Sequence, residues 1–496
     1  MSVDRRTVLK ATAGAAAAGP FAGLVAAPAE ARKPPRPGDL VPIRDKRDGQ
    51  VRLHLPRGFN YRSFHDTDLP AGQNVVLTDG TRLPGRHDGM GAFAGPDDTV
   101  ILVRNHEITN NPNVPAFGTG TPYDANAGAG TTTIQVTKQG KPIRSFTSLN
   151  GTMFNCSGGQ MPWGAWVTCE ETVNGPDVGP DFTGASNAGL QKPHGFVFEV
   201  PASHLPGPGQ STRQPIRNAG RFAHEAVSYD PLGGHLYLTE DDFGFPSGFY
   251  RYKPPSDPMV VGRLEDGGTL QMLRVAGTPN AHLEAQQVNG TTYDVQWVDI
   301  PEPWRLHTAP GQPVTTTNDQ ALIHVASQGW AQGAAYFSRL EGQVYDDGVV
   351  YFTSTQGGGA AEAEPDVNTP ESVDGFGRGS GQVWAYDTRT QKLRVVFQSP
   401  NRLTLDFPDN ITTSKRGTLV VCEDNVENNF IRGLSQDGQI WDIALNRLRS
   451  ITGTDRSNDE FAGSTFSPDG STLFVNIQSS RGMTIAIWGP WDTLGM

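Results

Sequence analysis

Six short runs share one plan, and that recurrence constrains the fold more than any other feature of the chain. ILVRNHE (101–107), AWVTCEE (165–171), LYLTEDD (236–242), VYFTSTQ (350–356), LVVCEDN (419–425) and LFVNIQS (473–479) each read as a buried strand ending in carboxylates or amides. Each follows a second polar position. Cys156 lies 14 residues before Glu170, Glu225 lies 15 before Glu240, and Glu341 lies 15 before Gln356. The other intervals are 13 (Asn410 to Glu423), 18 (Glu460 to Gln478) and 19 (Asp88 to Glu107). A turn separates the two positions each time: GPDD (95–98), MPWG (161–164), DPLGG (230–234), YDDG (345–348), SKRG (414–417) and SPDG (467–470). Strand, tight turn and strand make a β-hairpin, which returns the chain to its starting end. Both polar positions of a unit therefore fall on one face.

The first polar positions are separated by 68, 69, 116, 69 and 50 residues, a repeat near 69 with one insertion of about 47 and a shorter last unit. Fixed-period hairpins with polar ends gathered together indicate an all-β fold, a six-bladed β-propeller with a central metal-binding channel. The plainer alternative is that such strands and turns recur in any all-β protein; it leaves the shared spacing unexplained. With 59 glycines and 38 prolines in 496 residues, long helices are disfavoured. The expected organisation is one propeller over 32–496, with the insertion inside 254–330. That segment holds Trp297, Pro301, Pro303 and Trp304 and is either a cap over the channel mouth or an ordinary surface insertion.

Residues 1–31 read as an address. A twin arginine, Arg5-Arg6, precedes an Ala/Gly-rich stretch and the small-residue site Ala29-Glu30-Ala31, the order of a twin-arginine signal peptide. The chain is thus expected to use the twin-arginine export machinery and to work outside the cytoplasm, extracellular or periplasmic, as a monomer. No later run has the roughly 18 apolar residues of a membrane span. A net charge of −12 opposes nucleic acid and favours cationic guests. Three cysteines, Cys156, Cys169 and Cys422, cannot form a disulfide framework.

Hairpin ends meeting around one axis would gather Asp88, His106, Glu107, Cys156, Glu170, Glu171, His224, Glu225, Glu240, Asp241, Glu341, Asp409, Asn410, Glu423, Asp424, Glu460 and Gln478. So many carboxylates raise one another's pKa unless cations neutralise them. Oxygen-rich ligand sets select calcium, and a thiolate among them points to a transition metal such as iron. Cys156, beside Ser157-Gly158-Gly159, is the favoured thiolate; Cys169 and Cys422 end apolar runs and read as inert. His106 and His224 are either ligands or groups that orient a carboxylate. Arg339 lies two residues before Glu341 and so shares its strand face. It suits a phosphate or carboxylate oxyanion, or else balances the acids.

These residues lie in RNHE (104–107), NCSGGQMPWGAWVTCEE (155–171), GRFAHEAVSYDP (220–231), YLTED (237–241), FSRLEG (337–342), FPDN (407–410), VVCED (420–424), EFAGSTFSPDGSTLFVNIQ (460–478) and GPW (489–491). From Asp88 to Trp491 the chain resembles the PhoX family of exported alkaline phosphatases. The resemblance implies an iron and calcium cluster that hydrolyses small-molecule phosphomonoesters, a phosphoric monoester hydrolase activity. It implies Cys156, Glu171, Glu225 and Glu341 as metal ligands, with Glu107, Glu240, Asp241 and Glu423 as further ones, and Arg339 as the phosphate-holding catalytic residue beside Glu341. No G-x-S-x-G motif offers a serine nucleophile, which favours a metal-activated oxygen. Two other functions fit a carboxylate channel: a calcium-dependent propeller lactonase or esterase, and a non-catalytic calcium-stabilised binding propeller.

Overall fold

The computed structural model describes residues 39–108, 114–257, 263–362 and 375–496. The expected signal peptide at 1–31 lies outside the described residues.

The runs form antiparallel hairpins, each extended outward by further strands. His87–Ala94, Val100–His106, Ala129–Val136 and Pro142–Thr152 make the first sheet, and Asn155–Met161, Ala165–Glu170, Val197–Pro201 and Pro215–Ile216 the second. His224–Asp230, His235–Glu240, Phe249–Lys253 and Thr269–Val275 make a third group, and Leu340–Asp346, Val349–Ser354, Gln382–Asp387 and Lys392–Gln398 a fourth. Thr292–Asp299 pairs with both groups and joins them into a nine-stranded sheet. Pro408–Thr413, Leu419–Glu423, Phe430–Leu434 and Ile440–Asn446 continue into Val51–Leu55 and Val41–Arg44 as a six-stranded sheet. Glu460–Phe466, Thr472–Gln478 and Met483–Trp488 are completed by Asn60–Phe64 from the start of the chain, with Trp488 opposite Asn60 and Thr484 opposite Phe64.

The first strands of the six groups form a circuit. His87–Ala94 packs on Asn155–Met161, which packs on His224–Asp230, then Leu340–Asp346, Pro408–Thr413 and Glu460–Phe466, which returns to His87–Ala94. Apolar layers between successive groups hold the circuit. Between the third and fourth, Phe249 stacks on Phe352 at 4.4 Å, with Trp384, Tyr237 and Tyr386 buried around them. Each such ring stabilises the fold by about 1.5–3 kcal/mol through removal of its surface from water.

Every first strand carries a register shift. Pairing jumps from His87 to Met90, from Asn155 to Gly158, from His224 to Val227, from Leu340 to Gln343, from Pro408 to Ile411 and from Ala462 to Thr465. A β-bulge breaks the alternation of the pleat and re-aims side chains. The residues left outside the ladder begin with Asp88, Cys156, Glu225, Glu341 and Asp409 in the first five strands. In the sixth the bulge sits later, at Gly463-Ser464, and offers no ligand there.

Neighbouring bulges touch closely. A Cβ on Gly89 would lie 2.5 Å from Ser157 Cα, and one on Gly342 would lie 2.7 Å from Asn410 Cα. Glycine at these two positions lets adjacent first strands converge.

Within 254–330 the chain forms Thr269–Val275, Thr292–Asp299 and two short helices, Asn318–Leu322 and His324–Trp330. Thr317 caps the first helix through a reciprocal hydrogen-bond pair with Gln320. Among the described residues, no helix is long and apolar enough to cross a membrane.

Candidate active site

Four bulge residues, Cys156, Glu225, Glu341 and Asp409, meet Glu171, which follows the second strand of its hairpin, so that five sequence-distant donors come together. Ligand atoms of Cys156, Glu171 and Glu225 lie within 4.8 Å of one another, as do those of Glu225, Glu341 and Asp409. Glu225 belongs to both triads, and all five residues are buried. Asp409 was expected in the channel but not among the ligands; the spacing signal favoured Asn410 one residue later. Asn410 instead donates to Asp409 Oδ1 at 2.6 Å and accepts from the Gly463 amide, holding the carboxylate in place.

The chemistry of the cluster suits a cation. Glu225 Oε2 and Glu341 Oε2 are buried without a hydrogen-bond partner. Burial, then Glu171 and Asp409, pushes the Glu225 carboxyl well above the usual range. Burial, then Asp241 and Asp409, does the same to Glu341 against the opposing pull of Arg339. Burial and then Glu225 raise the Cys156 thiol, which donates to the His224 carbonyl at 3.2 Å. Buried carboxylates beside a thiol cannot all ionise unless cations compensate them. The donor set, one sulfur and several carboxylate oxygens, fits metal ions.

Arg339 closes the cluster on one side. Its backbone is left-handed at φ 41°, and its guanidinium donates to Asp241 Oδ1 at 3.0 Å from Nε, and from Nη2 to Asp241 Oδ2 at 2.6 Å and Glu341 Oε1 at 2.8 Å. Such φ values in non-glycine residues concentrate at functional sites. Phe154 occupies the same place two residues before Cys156, at φ 46°. Arg339, Asp241, Glu171 and Glu107 line one cavity at the channel mouth, with Phe154 on its wall. Glu107 there accepts from Gln478 at 2.9 Å, and Gln478 also reaches Asp88.

Glu240 and Glu423 do not join either triad. Each sits at the last ladder position of its strand, opposite His224 and Pro408. Glu240 Oε2 accepts from the Gly248 amide at 2.9 Å and from Tyr250 Oη at 2.7 Å. Glu423 Oε1 accepts from Arg432 Nε at 2.9 Å and the Asp406 amide at 3.2 Å; burial raises its pKa to about 7 against Arg432. Glu170 holds the same place, accepting from the Met153, Gly195 and Phe196 amides. These glutamates pin loops. His106 engages Gly85 O through Nδ1 and Thr132 through Nε2, and His224 Nε2 engages Gly220 O while its ring stacks on Phe222 at 3.6 Å. Cys169 and Cys422 are buried free thiols. The aromatic residues of the mouth carry no spacing signal, and sequence reasoning missed them.

The family description "Alkaline phosphatase PhoX" matches residues 39–480. The chain belongs to the PhoX family of alkaline phosphatases, which are phosphoric monoester hydrolases. Among solved structures, PhoX of Pseudomonas fluorescens in complex with vanadate, a transition state analogue, aligns over 91% of this chain and 97% of that chain at 18% identity and TM-score 0.61. That likeness defines the fold as all-β and PhoX-like. A gluconolactonase from Xanthomonas campestris aligns over 93% of this chain and 100% of that chain at 12% identity and TM-score 0.38. A catalytically inactive virginiamycin B lyase from Staphylococcus aureus with quinupristin aligns over 87% and 99% at 12% identity and TM-score 0.36. No curated protein sequence matches the chain.

Proposed function

We propose that the chain is an exported, metal-dependent phosphatase that hydrolyses phosphomonoesters in the channel mouth of a six-bladed β-propeller. The observation that carries the reading is the contact between Arg339 and Glu341. A bidentate oxyanion-binding group touches a member of the carboxylate cluster at 2.8 Å, at the mouth of one cavity. The circuit of six first strands supports the blade count, and the Arg5-Arg6 leader supports twin-arginine export.

Cys156, Glu171 and Glu225 would hold iron, because only that triad includes a thiol; Glu225, Glu341 and Asp409, all oxygen donors, would hold calcium. When bound, these ions polarise phosphoryl oxygens and lower the pKa of water. The chain's own residues do the rest. Arg339 receives two phosphoryl oxygens on the fork that now holds Asp241, orients the ester and stabilises the charge that develops as the P–O bond breaks. Asp241 and Glu341 fix the guanidinium until substrate arrives. Glu341 sits on a bulge, Arg339 just before the same strand and Asp241 just after the strand His235–Glu240, so strand ends and a bulge aim all three at one place.

Elemental analysis of protein purified without chelator, with phosphomonoester assays at alkaline pH on wild type, Cys156→Ala and Arg339→Ala, tests the proposal. Iron and calcium in the wild type, with phosphate release that both variants lose, is the expected result. Calcium alone with lactone cleavage supports the lactonase reading, and metal without turnover supports a binding propeller.

A further inference from the structure

We infer that the mouth selects phosphomonoesters whose leaving alcohol carries an aromatic ring; this deepens, and rests on, the phosphatase reading above. Three phenylalanines from separate parts of the fold, Phe154, Phe182 and Phe243, line the same cavity as Arg339, Asp241 and Glu171. Phe154 is almost fully buried and stands at the place in its unit that Arg339 holds in another, so the repeat itself aims it at the mouth. Phe243 follows Asp241 by two residues and is half-buried. It lies against Gly375, where a Cβ would fall 2.7 Å from its ring; glycine at φ +79° leaves room for the ring in that position. Phe182 is 41% exposed and faces the opening from the loop after Glu171.

Two polar side chains of the same wall are engaged with their own neighbours. Asn174 Oδ1 accepts from both Asn318 Nδ2 at 2.9 Å and Asn187 Nδ2 at 3.2 Å. Asp181 Oδ1 accepts from Thr183 and Ala185 amides of its own loop. A polyhydroxylated leaving group lodged against the three rings would exchange water for apolar surface, at a cost for each unmatched hydroxyl. An aromatic ring instead meets ring faces and edges, which favour it beyond simple area burial. The phosphate end is held by charge, and the alcohol end is sorted by apolar contact.

Benzyl, ethyl and glycerol phosphates test this on the metal-replete enzyme, because their alcohols leave with similar intrinsic difficulty. The expected kcat/KM for benzyl phosphate exceeds that for ethyl and glycerol phosphates by about tenfold or more. Phe182→Ala, on an exposed loop, is expected to bring that ratio towards one, and Phe243→Leu to reduce it in part. Benzylphosphonate, which cannot be hydrolysed, is expected to bind more tightly than methylphosphonate by calorimetry, with the preference lost in Phe182→Ala. Equal kcat/KM for the three esters, or equal binding of the two phosphonates, overturns the inference and leaves the phosphatase reading standing. No phosphate release from any ester overturns the phosphatase reading and the inference with it.

Discussion

Arg339 and Asp241 meet fork to fork, with Nε at 3.0 Å from one carboxylate oxygen and Nη2 at 2.6 Å from the other. The pair is buried, so the guanidinium is preorganised at the mouth rather than searching for its position. Arg339→Ala is expected to lower kcat/KM by roughly 10²–10³. Arg339→Lys is expected to recover little of it, because an ammonium keeps the charge and loses the fork. Inhibition by inorganic phosphate should weaken in parallel while metal content stays at the wild-type level. Loss of metal in Arg339→Ala would count against a substrate-binding role.

Glu225 belongs to both donor triads, whereas Cys156 belongs to one. Glu225→Gln is therefore expected to deplete both metal species, and Cys156→Ala mainly the one held by sulfur. Elemental analysis of chelator-free protein reads this directly. Equal depletion of both metals in Cys156→Ala would mean that the two triads act as one site.

Burial raises the Glu225 and Glu341 carboxyls above their unfolded values. Between the unfolded and folded values the native state binds more protons than the unfolded one, so this contribution to stability falls as pH rises. Chelator-stripped protein is expected to lose thermal stability from about pH 5 upward, where an ordinary glutamate is already ionised. Returned metal should restore it most at alkaline pH. Calorimetric scans from pH 5 to 9 check the sign, and a stripped protein of constant Tm would sink the argument.

His194 gives a metal-independent dependence of the same sign, displaced to higher pH. Burial opposes its charge, yet Glu170 at 2.6 Å and Asp124 at 3.6 Å outweigh burial and raise its pKa to about 9. A cation with a raised folded pKa contributes stability that is full below the ordinary histidine value and is lost as pH rises through about 9. His194→Asn is expected to be less stable than wild type at pH 6, with the gap closing towards pH 10 in denaturant titrations. A gap that does not change with pH would assign His194 a neutral packing role.

Gly342 donates no ligand, but a Cβ there would press on Asn410 Cα and the Asp409 carbonyl, at 2.7 and 2.9 Å. Gly342→Ala is expected to displace Asp409 and to weaken calcium binding about tenfold, a loss comparable with removal of a group that supports a ligand. Isothermal titration of stripped protein with calcium measures it. Unchanged affinity would show that the strand yields elsewhere.

The sequence made the hairpins legible because turn chemistry and strand composition agree at each of six places. Asp88, Cys156, Glu225 and Glu341 were readable as converging positions through their spacing. Which of two adjacent acids faces the mouth was not readable. Glu170-Glu171 and Glu240-Asp241 look alike, yet strand alternation sends the first of each pair into loop backbone and the second towards the mouth. The bulges are equally silent, since a bulge is a property of pairing between strands. That is why Asn410 drew attention in place of Asp409.

Asn60–Phe64, among the first residues of the fold to be synthesised, completes the sheet formed by nearly the last, Met483–Trp488. This early strand must wait through most of translation for its partner, with its apolar face and edge unprotected until Met483–Trp488 arrives. Contacts so remote in sequence make closure a slow step. Chains cut short before residue 483 would lack that latch altogether and leave Asn60–Phe64 without the strand it pairs with.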